Sequence, residues 1–264
     1  MRREGIRELH LNPARGWSDT GIDFLREVPW LDGLKILDLT IEDISVIHTL
    51  PRLRDLSIET YCLTPLDFSC WPELQSCVLY WRAGSESLFD ARSLETLFIH
   101  RYDGKSLSSL KALSGLISLE VANSAVSDIQ DLGAFERLTT LGLYNLRALR
   151  SLDGLEQLLQ LERLFVTGCG RLGNVAQLSN ATRLETLHLN DAGHIASLDP
   201  LASLPNLREV LFYGTTYIDD GNLDMLLRLP SLQKVSFQNR RHYSLTREAI
   251  GVAIAPSANS VDHP

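Results

Sequence analysis

Three apolar residues with the spacing L-x-x-L-x-L recur along the whole chain, separated by polar and turn-forming residues. The pattern occurs eleven times, and after a first step of 28 residues successive occurrences are 19 to 25 residues apart. The occurrences are Ile6-Leu9-Leu11, Leu34-Leu37-Leu39, Leu53-Leu56-Ile58, Leu74-Cys77-Leu79, Leu94-Leu97-Ile99, Leu116-Leu119-Val121, Leu138-Leu141-Leu143, Leu161-Leu164-Val166, Leu184-Leu187-Leu189, Leu207-Val210-Phe212 and Leu232-Val235-Phe237. The last two residues of each triplet point to the same side of a strand. The pattern therefore predicts eleven short strands, each with one buried face.

This pattern, with its period of roughly 20–29 residues, is typical of leucine-rich repeats. The segment VSDIQDLGAFERL at 126–138 resembles the return segment of internalin-like repeats, in which Val126, Ile129 and Leu132 turn inward. The resemblance covers roughly residues 34–237 and implies an α/β leucine-rich-repeat solenoid of about eleven repeats. A curved parallel sheet would form its concave face, and short helical or irregular turns would form its convex face.

The chain departs from that class at the ninth position of each repeat, where an asparagine is expected to hydrogen-bond the turn. Ser124, Cys169 and Thr215 stand at this position and can substitute for asparagine. Leu146 and Ala192 also stand there and cannot form such a bond. The resemblance therefore leaves the regularity of the curvature open.

The predicted organisation is one repeat domain whose two ends are covered, because an open stack exposes leucines and unpaired strand edges. Ser18 or Asp19 is expected to begin a helix in the N-terminal cap, and Ser244 to begin the C-terminal cap helix. The segments are a single leucine-rich-repeat domain at 1–255, comprising an N-terminal helical cap at 13–33, central repeats at 34–239 and a C-terminal cap helix at 240–255, followed by a flexible tail at 256–264.

Residues between the inward leucines are expected to point away from the core onto the concave face, where the fold does not fix their type. From the fourth repeat onward this face and its rim are predicted to present a partner-binding set. Its members are Val78, Tyr80, Trp81, Phe98, His100, Arg101, Tyr102, Tyr144, Phe165, His188, Leu211 and Tyr213. The first repeats are predicted to present an acidic patch of Glu8, Asp38, Asp55 and Glu59. Aromatic and arginine side chains dominate interface hot spots, although bulky strand-forming residues can also simply cover one another.

Composition adds expectations about partners and compartment. The formal net charge is −8, which on average repels nucleic acid and anionic lipid. The first residues contain no apolar stretch typical of a secretory signal, and no apolar run is long enough to span a bilayer. The four cysteines have no regular spacing, which favours reduced thiols. We therefore expect a cytoplasmic protein that binds neither nucleic acid nor membrane.

The sequence contains few motifs typical of catalysis, nucleotide binding or metal binding. GCGRLG at 168–173 has the spacing G-x-G-x-x-G after a predicted strand, which in a dinucleotide-binding unit brings backbone close to a pyrophosphate. Such a unit needs a crossover helix, whereas the next strand here begins near residue 184, so a tight repeat turn is the favoured interpretation. His100 and His188 lie four repeats apart, too far to share an ion. We expect no catalytic residues, no cofactor and no metal.

These observations together predict a non-enzymatic protein–protein interaction module that binds a partner protein through its concave aromatic face. An inhibitor or immunity-type protein and a scaffold adaptor are both compatible with this prediction. The alternative is a nucleotide-binding protein or enzyme that uses the GCGRLG turn. A monomer is expected, and a homodimer through the aromatic face is the alternative assembly.

Overall fold

The structure is a computed structural model, and it describes residues 5–19 and 21–254. The tail predicted at 256–264 lies outside the described residues. In chain order the strands are β1 (Glu8–Leu11), β2 (Gly33–Leu37), β3 (Asp55–Glu59), β4 (Ser76–Tyr80), β5 (Thr96–His100), β6 (Ser118–Ala122), β7 (Thr140–Tyr144), β8 (Arg163–Thr167), β9 (Thr186–Asn190), β10 (His194–Ile195), β11 (Glu209–Phe212), β12 (Tyr217–Ile218) and β13 (Lys234–Phe237). All except β10 and β12 form one parallel sheet of 11 strands, each paired with its neighbours along the chain. The predicted repeat solenoid is confirmed.

The second repeat has a different register from the predicted one. β2 pairs with β3 so that Leu34 lies opposite Leu56 and Ile36 lies opposite Ile58. The inward pair is therefore Leu34 and Ile36, whereas the predicted inward residues Leu37 and Leu39 are 43% and 49% exposed. The prediction was wrong because two overlapping triplets fit the pattern here, and pairing with both neighbouring strands selects the earlier one.

The core is a column of inward side chains that runs from repeat to repeat. In β6, for example, Leu119 and Val121 are fully buried, and Leu119 lies between Leu97 of β5 and Leu141 of β7. Most of the parallel-sheet residues that face away from this column are partly exposed. No repeat buries its own apolar face, so stability arises at the interfaces between neighbours.

The return segments are short 3-10 helices, as expected for the convex side. The predicted inward residues Val126, Ile129 and Leu132 are buried. The 3-10 helices are Pro13–Arg15, Asp23–Glu27, Ser45–Thr49, Phe68–Cys70, Glu86–Asp90, Ser108–Leu110, Gln130–Ala134, Leu155–Gln157, Ala176–Asn180, Asp199–Ser203 and Asp224–Arg228. Within the described residues, no helix is long and apolar enough to cross a membrane.

Helices lie at both ends of the described chain, but they begin at residues other than the predicted ones. In the N-terminal segment, Asn12 accepts a hydrogen bond from the backbone of Ala14 and begins the 3-10 helix Pro13–Arg15. The next 3-10 helix, Asp23–Glu27, begins after Ile22, which makes no side-chain capping bond, so neither Ser18 nor Asp19 is its N-cap. At the other end, helix α1 (Arg247–Ile254) covers β13 and buries Ile250. The Thr246 hydroxyl accepts from the backbone of Ala249, because the helix begins later than Ser244.

The ninth position points into the core in six successive repeats, from Arg82 to Ala192. Ser124 donates to the carbonyl of Tyr102, and the Cys169 thiol lies 3.5 Å from the carbonyl of Leu143. The predicted substitute Thr215 is exposed, and its neighbour Thr216 makes the inward bonds to the turn instead. Side chains other than asparagine thus satisfy part of the turn backbone.

Candidate functional site

Five rings form one continuous group on the concave side, which we call the concave aromatic cluster: Tyr61, Tyr80, Phe98, His100 and Tyr144. The ring centroids of Tyr61 and Tyr80 are 6.1 Å apart, and those of Tyr80 and His100 are 4.8 Å apart. Phe98 joins the group 4.2 Å from His100 and 6.1 Å from Tyr144. Every ring keeps part of its surface exposed. The cluster spans the sheet from the end of β3 to β7.

The register of β4 to β7 explains why these rings meet. Tyr80 lies opposite His100, which lies opposite Ala122, which lies opposite Tyr144. The small Ala122 leaves room between the larger rings on either side. A Cβ atom on Gly142 would lie 2.6 Å from the Tyr144 ring, so the ring covers this glycine. Small residues at two positions therefore let the rings approach each other.

The surroundings of Tyr144 keep its phenol protonated. Burial raises the pKa of the Tyr144 phenol above its ordinary value, and the charge of Glu120 and a hydrogen bond to it raise the pKa further. The phenol is therefore neutral at physiological pH and can donate to the carboxylate. The ring lies over Gly142 and keeps part of its surface exposed to solvent.

A second group lies further along the concave face, at the predicted residues Phe165 and His188. Their ring centroids are 4.9 Å apart, and His188 Nε2 lies 3.0 Å from Oε1 of Glu209. Lys234 Nζ donates to the same oxygen at 3.0 Å. Partial burial raises the pKa of Glu209, but the hydrogen bonds from Lys234 and His188 outweigh it and lower this pKa overall. This end of the face is therefore a polar network beside one aromatic ring.

Four further predicted residues of the concave face and its rim are at least partly exposed. Val78 and Leu211 are partly exposed, and Tyr213 is 38% exposed with its hydroxyl against that of Ser236. At the rim, the Trp81 ring stacks on Phe89 and is only partly exposed.

Two predicted site residues are not on the surface. Tyr102 is 3% exposed and packs edge-on against Trp81, because it occupies the inward ninth position of its repeat. Asp38 is 4% exposed and accepts hydrogen bonds from the backbone and hydroxyl of Thr40. The corrected register of the second repeat places Asp38 after β2 rather than on the concave face.

The acidic patch is consequently smaller and mixed in charge. Glu8, Asp55 and Glu59 remain on the concave strands, but Lys35 of β2 stands opposite both His10 and Ser57. Lys35 Nζ lies 3.7 Å from a carboxylate oxygen of Asp55, and both side chains are exposed. An exposed pair of this kind contributes little to stability and leaves the local charge weakly negative.

Two exposed residues were not predicted from the sequence: Tyr61, which belongs to the cluster, and Leu63, two residues later in the chain. They are 54% and 81% exposed in the turn after β3. Tyr61 falls at a ninth position, which favours inward side chains, so the repeat pattern gave no signal for it. In this turn Thr60 is buried instead, and Tyr61 turns outward toward Tyr80.

A row of left-handed residues follows six consecutive strands of the parallel sheet, and it accounts for the first glycine of GCGRLG. The φ angles of these residues are 56° at Arg101, 54° at Asn123, 56° at Asn145, 71° at Gly168, 49° at Asp191 and 66° at Gly214. The turn at Gly168 leads into the five-residue 3-10 helix Ala176–Asn180, not into a crossover helix. The geometry of a repeat turn thus explains Gly168 without a bound nucleotide.

Replacement of the glycines in this turn is expected to have unequal effects. Gly168→Ala should lower the free energy of unfolding by about 1–2 kcal/mol, because L-residues are strained at its positive φ. Its new Cβ would also lie 2.2 Å from Oδ1 of Asn145. Gly173→Ala has no neighbour within 4 Å and should change stability by less than about 0.5 kcal/mol. Urea denaturation followed by circular dichroism measures both, and equal losses would contradict the repeat-turn interpretation.

His100 is expected to titrate at an unusually low pH. Burial lowers the pKa of His100 from its ordinary value of 6.5, and the neighbouring Arg101 charge lowers it further, although Glu59 and Glu120 oppose this shift. The unfolded chain then binds the proton more readily than the folded chain, so stability is lost as pH falls below about 6.5. Histidine NMR titration should give a pKa below this value, and His100→Gln should lose less stability than the wild type between about pH 7 and pH 5. A pKa at or above the ordinary value would contradict the burial of this ring.

The described residues offer no site for a metal ion: none of their histidine, cysteine, aspartate and glutamate side chains form a group of three or more that could hold one. Cys77 and Cys169 are buried, and burial raises the pKa of both thiols, to about 11 for Cys169. Neither thiol is suited to act as a nucleophile.

Comparisons with known proteins identify relatives in fold. No protein-family model matches the chain, and no curated protein matches its sequence. An internalin from Listeria monocytogenes is similar in structure with a TM-score of 0.57 and 16% identity, over 84% of this chain and 73% of that one. A leucine-rich-repeat protein from Leptospira interrogans gives 0.47 and 17%, over 81% and 68% of the two chains. Internalin C2 from Listeria monocytogenes gives 0.42 and 21%, over 89% and 82%. The chain thus has the leucine-rich-repeat solenoid fold.

Proposed function

We propose that the chain is a non-enzymatic protein–protein interaction module, and that its concave aromatic cluster binds the partner protein. The single observation that carries the proposal is five adjoining rings on an open sheet face, each with exposed surface. The repeat fold does not require aromatic side chains outside its core. Exposed apolar and aromatic groups that adjoin each other usually mark a contact surface.

The dimensions of the face suit a protein partner. Eleven strands at about 4.8 Å spacing give an arc of roughly 50 Å. Contact along most of this arc can reach the roughly 800 Å² per side of a standard specific interface. A partner with an apolar centre for the cluster and a basic rim near Glu8, Asp55 and Glu59 fits the charges on this face. An inhibitor or immunity-type protein and a scaffold adaptor would both use such a surface.

We further propose that the protein is a cytoplasmic monomer. All four cysteines are free thiols, which supports a reducing compartment such as the cytoplasm. We favour a monomer, because a homodimer through the concave aromatic cluster would compete with the proposed partner for the same surface. Light scattering at two concentrations tests this, and a concentration-dependent dimer that Tyr144→Ala disrupts would instead assign the cluster to self-association.

Affinity capture from native extract tests the proposed function. The wild-type chain, Tyr144→Ala and the matched control Leu159→Ala are compared by quantitative mass spectrometry. Leu159 is 69% exposed on a return segment, so its loss removes apolar surface away from the cluster. A protein captured by the wild type and the control but lost with Tyr144→Ala is the expected result. Equal capture by all three chains would refute a binding role for the cluster.

A further inference from the structure

A depression of about 350 Å³ lies beside the concave aromatic cluster, which we call the arginine pocket. It is formed by the turn after β3, by the residues at and just after the end of β4, and by Arg101 just after β5. Tyr61, Leu63 and Tyr80 supply aromatic and apolar walls, and Arg82 and Arg101 supply two guanidinium groups. Its position at one edge of the concave face places it where a partner on the cluster would also reach it.

Arg82 is an uncompensated buried charge at this pocket. Its side chain is 4% exposed, its Nε donates to the carbonyl of Tyr80 at 3.2 Å, and its Nη1 lies 3.3 Å from the sulfur of Cys62. Its Nη2 is buried and has no hydrogen-bond partner. Burial lowers the pKa of Arg82, but a guanidinium remains protonated at neutral pH.

The surroundings of Arg82 make its charge unusual. The next four repeats hold Tyr102, Ser124, Leu146 and Cys169 at the same inward position, and none of these is an arginine, lysine, aspartate or glutamate. Among the described residues, no carboxylate forms a salt bridge with Arg82 or with Arg101. Burying a cation without an anion costs free energy, which an incoming anion would partly offset.

Arg101 independently indicates that the pocket binds an anion. It belongs to the row of left-handed residues, where the other five positions hold asparagine, aspartate or glycine, which adopt this conformation most readily. Its guanidinium carbon lies 5.3 Å from the ring centre of Tyr61 and 5.6 Å from that of Tyr80. An arginine at this strained position favours a role for its side chain rather than for its backbone.

We infer that the arginine pocket binds a carboxylate side chain of the partner protein, carried on a segment whose neighbouring residue is apolar. Arg101 donates to the carboxylate, the buried charge of Arg82 adds attraction from beneath, and Leu63 and the two tyrosines contact the apolar neighbour. A carboxylate matches the single guanidinium that is exposed at the surface, whereas a phosphate dianion would call for more donors. The inference rests on the proposed function, because it names part of what the partner presents.

NMR titration of the isotopically labelled chain tests the pocket without the partner. The probe is the peptide acetyl-leucyl-glutamyl-leucinamide, the matched control replaces glutamate with glutamine, and each is added to about 10 mM because one charged contact gives weak affinity. The glutamate peptide is expected to shift the indole signal of Trp81 and the side-chain signal of Arg101. The glutamine peptide and Arg101→Asn are each expected to weaken this binding by about tenfold or more. Arg101→Asn suits the left-handed backbone, as Asn123 and Asn145 show, so the variant should fold normally.

Two further arms complete the experiment. Arg171→Asn, which changes an exposed arginine outside the pocket, should bind the glutamate peptide like the wild type. In a Cys70→Ser background, the glutamate peptide should slow alkylation of Cys62 by iodoacetamide, because Cys62 lines the pocket and the other two thiols are buried. Equal shifts from both peptides, or tighter binding of inorganic phosphate than of the glutamate peptide, would overturn the inference.

Capture of the partner protein by two variants distinguishes failure of this inference from failure of the proposed function. If Tyr144→Ala abolishes capture while Arg101→Asn leaves it unchanged, the carboxylate site is wrong and the binding module stands. If Tyr144→Ala leaves capture unchanged, the proposed function itself is wrong.

Discussion

Leu119→Ala is expected to lower the free energy of unfolding by about 2–5 kcal/mol, the range for removing a large aliphatic side chain from a packed core. Leu119 is fully buried and stands between Leu97 and Leu141 in the column of inward residues. The cavity left by alanine would adjoin two neighbouring repeats, so the loss would weaken two interfaces at once. Urea denaturation followed by circular dichroism measures the effect.

Phe98→Ala, on the opposite face of the adjacent strand, provides the matched comparison. Phe98 is partly exposed and contacts His100 and Tyr144, so its stability cost should not exceed about 1.5 kcal/mol, the upper end of one aromatic pair. A loss as large as that of Leu119→Ala would show that the two faces of the sheet have been assigned incorrectly.

Phe98→Ala should weaken binding of the purified partner by about 2 kcal/mol, or roughly thirtyfold. Phe98 is central in the concave aromatic cluster because its ring adjoins both His100 and Tyr144. Truncation would remove apolar contact area at the centre of the interface, where hot spots concentrate. Isothermal titration calorimetry with the partner identified by capture gives the two dissociation constants.

Leu227→Ala is the control for that measurement. Leu227 is 45% exposed in the return segment Asp224–Arg228, away from the concave face. Its replacement should leave the dissociation constant unchanged within about twofold. Equal weakening by both variants would mean that the partner does not distinguish the two faces.

The fold was predictable because the spacing of apolar residues determines which side of each strand is buried. Leu97 and Ile99, for example, could belong to only one triplet, and both are fully buried as predicted. The predicted register of the second repeat was wrong because LDGLKILDL contains two triplets in overlapping registers. Only pairing with Leu9 and Leu56 on the neighbouring strands decides between them, and the sequence of one repeat does not contain that information.

The candidate site was predictable on the strands and less so in the turns. Tyr80, Phe98 and Tyr144 lie where alternation along a strand places them. Tyr102 and Tyr61 do not, because their directions depend on which residue of each turn takes the inward place. Tyr102 takes it in one repeat, whereas the buried Thr60 takes it in place of Tyr61 in another. The arginine pocket depends on two such turns and could not be foreseen from spacing.

Each strand of the large sheet is hydrogen-bonded only to the strands of the adjacent repeats. A small rotation between each pair of neighbouring strands accumulates along the sheet, so the sheet as a whole can bend. A change of about 1° per repeat adds up to about 10° between the first and last strands. We therefore expect the arc to open or tighten around a bound surface while the hydrogen bonds between neighbouring strands remain intact. Curvature is thus an elastic property that the sequence tunes gradually, repeat by repeat.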